Sequence, residues 1–219
     1  MELEYKWLMP EKNAAEESCS AIMSDPFMAG MAKGEAVIKM DSNYYDTEDG
    51  ILKNKFHAAL RIRKENGKSV LCLKIPKIKE GSFAAREEYE TEAESIAEGL
   101  EILPGTGAPA DLCRKISSLP LKKIARVCFI RHFFCIQSNN GCLGSKEESF
   151  IAEISFDEGH AERHLEPFSV SAISEIELEF KSGNEAFFHK WAENFARHFK
   201  LKPLSLSKLA QALFYQEKH

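Results

Sequence analysis

The sequence predicts an α+β fold in which antiparallel strands close into a barrel beneath a layer of helices, and three observations predict it. Short segments alternate apolar and ionisable residues with a period of two. Acidic and basic residues gather in separate clusters on those segments. Other segments repeat apolar residues at helical spacing, which suits them to cover the apolar strand faces.

The elements follow in order. In a strand, successive side chains point to opposite faces. Leu3, Tyr5 and Trp7 therefore share one face, and Glu2, Glu4 and Lys6 the other. Residues 10–23 read as a helix rich in Ala and Glu, with Pro10 suited to its first turn. Tyr44, Tyr45 and Asp46 read as a strand end with a turn-forming Asp. Leu60 and Ile62 oppose Arg61 and Arg63, and Lys74 opposes Leu71, Leu73 and Ile75. Glu88-Tyr89-Glu90 repeats the alternation. A helix over 92–103 places Ile96, Leu100 and Leu103 on one side, and one over 110–119 does the same with Leu112, Ile116 and Leu119. Between them, 103–109 with its PGTGAP run is the most linker-like piece. A strand over 128–136 carries Arg131 within an aromatic run, and 138–149 reads as a polar hairpin loop around Asn139, Asn140 and Gly141. Glu153 and Asp157 oppose Ile154 and Phe156, and Glu175, Glu177 and Glu179 oppose Ile176, Leu178 and Phe180. A helix over 184–199 repeats Phe187, Trp191, Phe195 and Phe199 every fourth residue, and a last one over 205–216 has Ser205 or Ser207 as its N-cap.

With 219 residues, 44% of them hydrophobic, the chain suits a single domain over 1–219 with a sizeable core. Its formal net charge of −5 supplies no basic field for nucleic acid, so any anion must be held by locally placed Arg and Lys. The N-terminus is expected to be neither a signal nor a transit peptide, and no apolar run is long enough for a membrane helix. Cys19, Cys72, Cys113, Cys128, Cys135 and Cys142 form no CxxC pair. Reduced cytoplasmic thiols are the expectation, rather than a zinc site. No oligomeric state is implied.

An exposed sheet face also carries polar residues. Here, however, the polar faces are almost purely ionisable and their signs are segregated. Like charges two residues apart on one face lie about 7 Å from each other and repel, whereas opposed cross-strand pairs would help by roughly 0.2–1 kcal/mol each. Segregation points to partners outside the chain. Acid clusters suit a hard cation such as Mg²⁺ or Mn²⁺, and basic clusters a polyanion. With helices over the apolar faces, the charged faces line the barrel interior. A triphosphate group, which needs several cations and a metal, fits that interior. A DNA duplex does not.

These residues carry a resemblance. Glu2-Leu3-Glu4-Tyr5-Lys6 resembles the ExExK signature of the CYTH superfamily, the triphosphate tunnel metalloenzymes. Tyr44-Tyr45-Asp46-Thr47 is similar to its YYDT segment, Leu60-Arg61-Ile62-Arg63 to its LRxR strand, and Arg86-Glu87-Glu88-Tyr89-Glu90 to its RxExE strand. Arg131, Glu153 and Asp157-Glu158-Gly159 follow in order, Glu175-Ile176-Glu177-Leu178-Glu179 resembles its EIELE strand, and Ser207-Lys208-Leu209 its late SKY-like segment. The likeness spans the whole chain.

The resemblance implies a closed antiparallel tunnel of about eight strands. It also implies Mg²⁺- or Mn²⁺-dependent hydrolysis or cyclisation of a small-molecule triphosphate. By position, Glu2 and Glu4 would bind metal from one side and Glu175 and Glu177 from the other. Lys6, Arg61, Arg63, Lys74 and Arg131 would hold phosphate oxygens, and Lys208 is placed to close over the substrate. Glu153 and Asp157 are tunnel-face candidates for metal or water. Roles for Arg86, Glu88, Glu90 and Glu179 stay open. Glu2, Glu4, Lys6 and Glu177 are the expected catalytic set. The preferred reaction is hydrolysis of inorganic triphosphate. The alternatives are ATP cyclisation, against which counts the lack of an HF-type segment before Glu2, and polyphosphate binding without turnover. His160 and His164 are read as loop residues rather than metal ligands, and Gly105-Thr106-Gly107 as a plain turn without the Lys-Ser/Thr of a P-loop.

Overall fold

The computed structural model describes residues 2–10, 15–138 and 149–214. Its strands are β1 (Glu2–Leu8), β2 (Ala32–Asp46), β3 (Ala59–Glu65), β4 (Lys68–Glu80), β5 (Phe83–Glu92), β6 (Lys122–Gln137), β7 (Phe150–Arg163), β8 (Ser169–Gly183) and β9 (Lys202–Pro203). The helices are α1 (Ala15–Met23), α2 (Ile51–Asn54), α3 (Ile96–Ile102), α4 (Ala110–Ser117), α5 (Glu185–His198) and α6 (Lys208–Leu213).

The strands run in the order β5-β4-β3-β2-β6-β7-β8-β1, and β5 pairs again with β1. That pairing, from Glu2 opposite Arg86 to Tyr5 opposite Phe83, closes an antiparallel eight-strand barrel. β9 is an added strand beside the end of β1. Asn66 and Gly67, both at positive φ (48° and 77°), make the two-residue turn that sets the β3–β4 register. Gly159 marks a close approach of β7 to β6, since a Cβ there would lie 2.1 Å from the Cys128 carbonyl oxygen.

Two apolar clusters lie outside the barrel and one at an end of its bore. Trp7, Ile154, Phe156, Ile176 and Leu178 pack under α1 and α5 against Phe188, Trp191 and Phe195. Leu60, Leu71 and Leu73 pack under α3 and α4 against Leu100, Cys113 and Ile116. The third joins Met40, Tyr44, Val127, Phe129, Ala161 and Ile173 to Ala212 of α6, with Leu209 alongside. Its strand residues share the parity of the charged rows, so α6 and these side chains seal one end of the bore.

The structure moves several predicted boundaries. The chain before Tyr44 is strand from Ala32, a β2 far longer than the YYDT segment, because its outer residues mix Val, Lys and Asp without clean alternation. The strand predicted over 128–136 extends to Lys122–Gln137. The helix predicted over 92–103 begins only at Ile96, capped by Ser95 accepting from the Glu98 amide. Asn184 and Ser207 cap α5 and α6 in the same way. Most of the loop predicted over 138–149, with Cys142, lies outside the described residues, as do 11–14 of the first predicted helix and 215–216 of the last.

Candidate functional site

Register decides which side chains enter the bore, because residues directly opposite each other in adjacent strands share a face. Lys6 lies opposite Glu177, and Glu4 opposite Glu179. Asp157 lies opposite both Glu175 and Arg131, and Glu153 opposite Glu179. On the other side Glu2 pairs with Arg86, Lys74 with Glu88, and Cys72 with both Arg61 and Glu90. The separate charged rows of the sequence thus converge on one interior.

They form two linked ion networks. In the first, Lys208 Nζ lies 2.7 Å from Asp157 Oδ2 and 2.9 Å from Glu177 Oε1, and also contacts Glu175. Lys6 Nζ stands 2.6 Å from Glu177, 3.3 Å from Glu4 and 3.6 Å from Glu175. The Arg131 guanidinium grips Asp157 through Nε at 2.8 Å and Nη2 at 2.7 Å, touches Glu177, and reaches Glu153 at 3.9 Å. In the second network Lys74 Nζ lies 2.7 Å from Glu88 and 3.6 Å from Glu2. Arg61 lies 3.3 Å from Glu88 and 3.6 Å from Glu90, while Arg63 lies 3.3 Å from Glu90 and 2.8 Å from Glu65. Arg86 joins the two, with Nε 2.9 Å from Glu2 and Nη2 against Glu4. Desolvated charges persist only where each has such partners.

The electrostatics follow from burial against pairing. Burial pushes the Glu2 carboxyl up to about 8; Lys74 opposes the rise and the Glu88 carboxylate reinforces it. Burial also raises Glu4, but Lys6, Arg86 and Lys74 outweigh it and hold Glu4 below its ordinary value. Glu177 lies well below the carboxylate range because Lys208, Lys6 and Arg131 together overcome its burial. Glu88 is held low against its burial, with Lys74 as the leading cause. Burial lowers the affinity of Lys6 and Lys208 for their protons, and the surrounding carboxylates more than reverse it. Burial raises Glu153, nearer the open rim.

Several buried polar atoms lack an aligned partner among the described residues. They include Glu2 Oε2 and Glu4 Oε1, and the donors Arg61 Nε, Arg63 Nε, and Arg86 Nε and Nη2. Some lie near an opposite charge, but off the direction a hydrogen bond requires. Orphaned acceptors fit a cation and orphaned donors fit an oxyanion. Asp157, Glu175 and Glu177 each offer an oxygen within 4.8 Å of the others, an all-carboxylate set suited to a hard divalent ion. The residues present therefore fit such a metal, in the position now held by the Lys208 ammonium.

Every predicted site residue faces this bore. Lys6, Glu4, Glu175, Glu177, Asp157, Arg131 and Lys208 meet in the first network, with Glu153 at its margin. Glu2, Lys74, Arg61 and Arg63 belong to the second. Sequence reasoning left Arg86 and Glu88 without roles, although their alternation with Glu90 carried the signal. It missed Gln211, whose amide donates to Glu175 Oε2 at 2.6 Å and whose spacing of three from Lys208 places both on one helix face. Phe129 belongs to the third apolar cluster, and its ring also faces the bore, with Lys208 Nζ 4.8 Å from the centroid. His160, predicted in a loop, lies within β7, whose pairing continues to Arg163. Its ring and that of His164 contact different oxygens of Glu162, at 3.2 and 3.3 Å.

The CYTH domain family model matches residues 1–213. In sequence, no curated protein matches the chain. Among solved structures it resembles HpAC1 from Hippeastrum, described as having a dominant triphosphatase activity. Identity is 20%, the TM-score is 0.56, and coverage is 97% of this chain and 95% of that one. It also resembles PH1819 from Pyrococcus horikoshii OT3, at 20% identity and a TM-score of 0.54 over 97% and 98% of the two chains. PH1012 from the same organism matches at 16% identity and a TM-score of 0.54, over 96% and 99%. Among the described residues no helix is long and apolar enough to cross a membrane.

Proposed function

The chain belongs to the CYTH domain family, and from that premise we propose that it is a divalent-metal-dependent triphosphatase whose preferred substrate is inorganic triphosphate. The observation that carries the reading is the meeting, inside one bore, of carboxylate acceptors on Glu2 and Glu4 and guanidinium donors on Arg61, Arg63 and Arg86 that lack aligned hydrogen bonds among the described residues, even where an opposite charge is close. A polyanion accompanied by a cation answers both deficits.

Glu4, Asp157, Glu175 and Glu177 would hold Mg²⁺ or Mn²⁺, with Glu2 and Glu153 beside them. When bound there, the metal supplies Lewis-acid polarisation of a phosphoryl oxygen. Arg61, Arg63, Arg86 and Lys74 clamp the phosphate chain against translation and aim its terminal group. Lys6 and Arg131, fixed by Glu177 and Asp157, stabilise negative charge that grows on the phosphoryl oxygens and the departing pyrophosphate as a water attacks the terminal phosphorus in line and the anhydride bond breaks. Helix α6 and the apolar end exclude water from one side.

Phosphate release from tripolyphosphate with Mg²⁺ or Mn²⁺ tests the proposal directly. Glu4→Ala and Arg61→Ala should each lower the rate by about 100-fold or more, as removal of one preorganised charge-stabilising group does elsewhere. Unchanged rates in both variants would end it. ATP assayed in parallel separates the alternatives: robust cyclic AMP formation moves the chain to the cyclase reading, and tight metal-free binding without turnover makes it a polyphosphate-binding module.

A further inference from the structure

Ser42 sits on the inward row of β2 between Met40 and Tyr44. It lies opposite Arg63 on β3 and Val127 on β6. Its side chain is 1% exposed, and its hydroxyl has no hydrogen-bond partner among the described residues. An unsatisfied buried hydroxyl is unfavourable, and its neighbours along the strand and on β6 are apolar or aromatic. Alanine or valine would fill the position without that penalty. The polar groups nearest it in register are also unsatisfied: Arg63 Nε directly opposite, and Arg61 Nε one inward position further on. The Tyr44 phenol lies against the Arg61 guanidinium and holds it from the same strand as Ser42. The Ser42 hydroxyl and the Arg61 and Arg63 Nε groups, none with an aligned hydrogen-bond acceptor among the described residues, thus share one wall.

Around the eight-strand barrel, β3 is four strands from β8 by either route and β2 is three strands from it by the shorter, so this wall lies on the side of the barrel away from the strand that carries Glu175 and Glu177. A ligand bridging the two would present metal-bound oxygens to β8 and free oxygens to β2 and β3.

We infer that Ser42 is a substrate-binding residue, its hydroxyl donating to a phosphoryl oxygen held by Arg61 and Arg63 on the wall opposite the acid cluster. The inference rests on the triphosphatase reading and adds to it a neutral donor. Unlike the guanidinium groups, Ser42 has no carboxylate to return to when the anion leaves.

The test compares wild type, Ser42→Ala and Ser42→Thr. Tripolyphosphate binding is measured by calorimetry in EDTA, hydrolysis with Mg²⁺, and melting temperature with and without tripolyphosphate. A hydrogen bond to a charged group contributes roughly a factor of ten or more in affinity. Ser42→Ala should therefore weaken tripolyphosphate binding about tenfold, with KM rising in step. Its melting temperature without ligand should equal or exceed that of wild type, because it discards an unsatisfied group. Ser42→Thr, which keeps the hydroxyl, should bind within about twofold of wild type. Wild-type affinity in Ser42→Ala would overturn the inference and leave the triphosphatase reading standing. So would a ligand-free melting temperature lowered by several degrees, since the hydroxyl would then be a structural partner. A wild-type protein that neither binds nor hydrolyses tripolyphosphate would overturn both.

Discussion

The Arg86 guanidinium spans two carboxylates of one strand, Glu2 and Glu4, and so keeps like charges on β1 from repelling each other. Removing it leaves two buried acids short of a partner, so Arg86→Met should destabilise the fold more than a surface Arg change would, in the range of about 3–5 kcal/mol seen when a buried pair is broken. Urea denaturation measures it. Cys72 illustrates the opposite outcome of burial. Desolvation pushes its thiol up to about 12, beyond the opposing pull of Arg61 and Lys74, and it donates to Glu88 at 3.0 Å. At pH 8 it is protonated, so iodoacetamide should leave it intact in the native protein and label it after unfolding; mass spectrometry reads both. On the outer face, the hydrogen bonds from Arg126 hold the Asp41 carboxyl below its ordinary value. An acid whose folded pKa is depressed adds stability above its unfolded pKa, near 3.9, and loses it as pH falls through the lower folded value. Asp41→Asn should therefore lower stability at pH 7 by up to about 1 kcal/mol, the pair being partly exposed. The difference should fade in acid melts below about pH 4.

At the scale of elements, α5 shows how firmly a pattern can speak. Its aromatic residues at helical spacing meet Trp7, Phe150 and Phe156 in one cluster, and Phe195 is fully buried there. Phe195→Ala should lower stability by about 3–5 kcal/mol, measurable by urea denaturation. The charged strands were equally legible, because period-two alternation with segregated signs repels itself unless the rows meet opposite charge across a shared interior. β2 was not. Its long outer half mixes Glu35, Val37, Lys39 and Asp41, and its inner row of Ile38, Met40, Ser42 and Tyr44 carries hydroxyls but no charge, so alternation that marks a wall of ions elsewhere is absent. For the same reason Ser42 could not be found by scanning for charge. Nor does the sequence around Gly159 reveal the tight packing that its position requires. A methyl group there would press on the β6 backbone rather than on a side chain able to move. Gly159→Ala should thus cost at least the roughly 1–3 kcal/mol of ordinary overpacking and shift Arg131 against Asp157, lowering melting temperature and rate together.

Considered whole, the molecule lines the interior of its barrel with ionic residues and buries its apolar clusters largely between the barrel and the helices outside it. A ligand matched to that interior should raise the stability of the entire chain. At a hundred times its Kd, tripolyphosphate should stabilise by about 2.7 kcal/mol, a rise of several degrees in differential scanning calorimetry for a chain of this length. An equal concentration of orthophosphate, with fewer oxygens to span the bore, should do less. The closing strand has a consequence for biosynthesis as well. β1 precedes the other strands along the chain, yet its partners are Phe83–Arg86 of β5 and, far later, Glu175–Phe180 of β8. Until β8 is made, therefore, Glu4 and Lys6 lack their cross-strand neighbours Glu179 and Glu177. Pairings of such long sequence separation belong to slowly maturing topologies, so the ion-lined channel closes only once β8 has met β1.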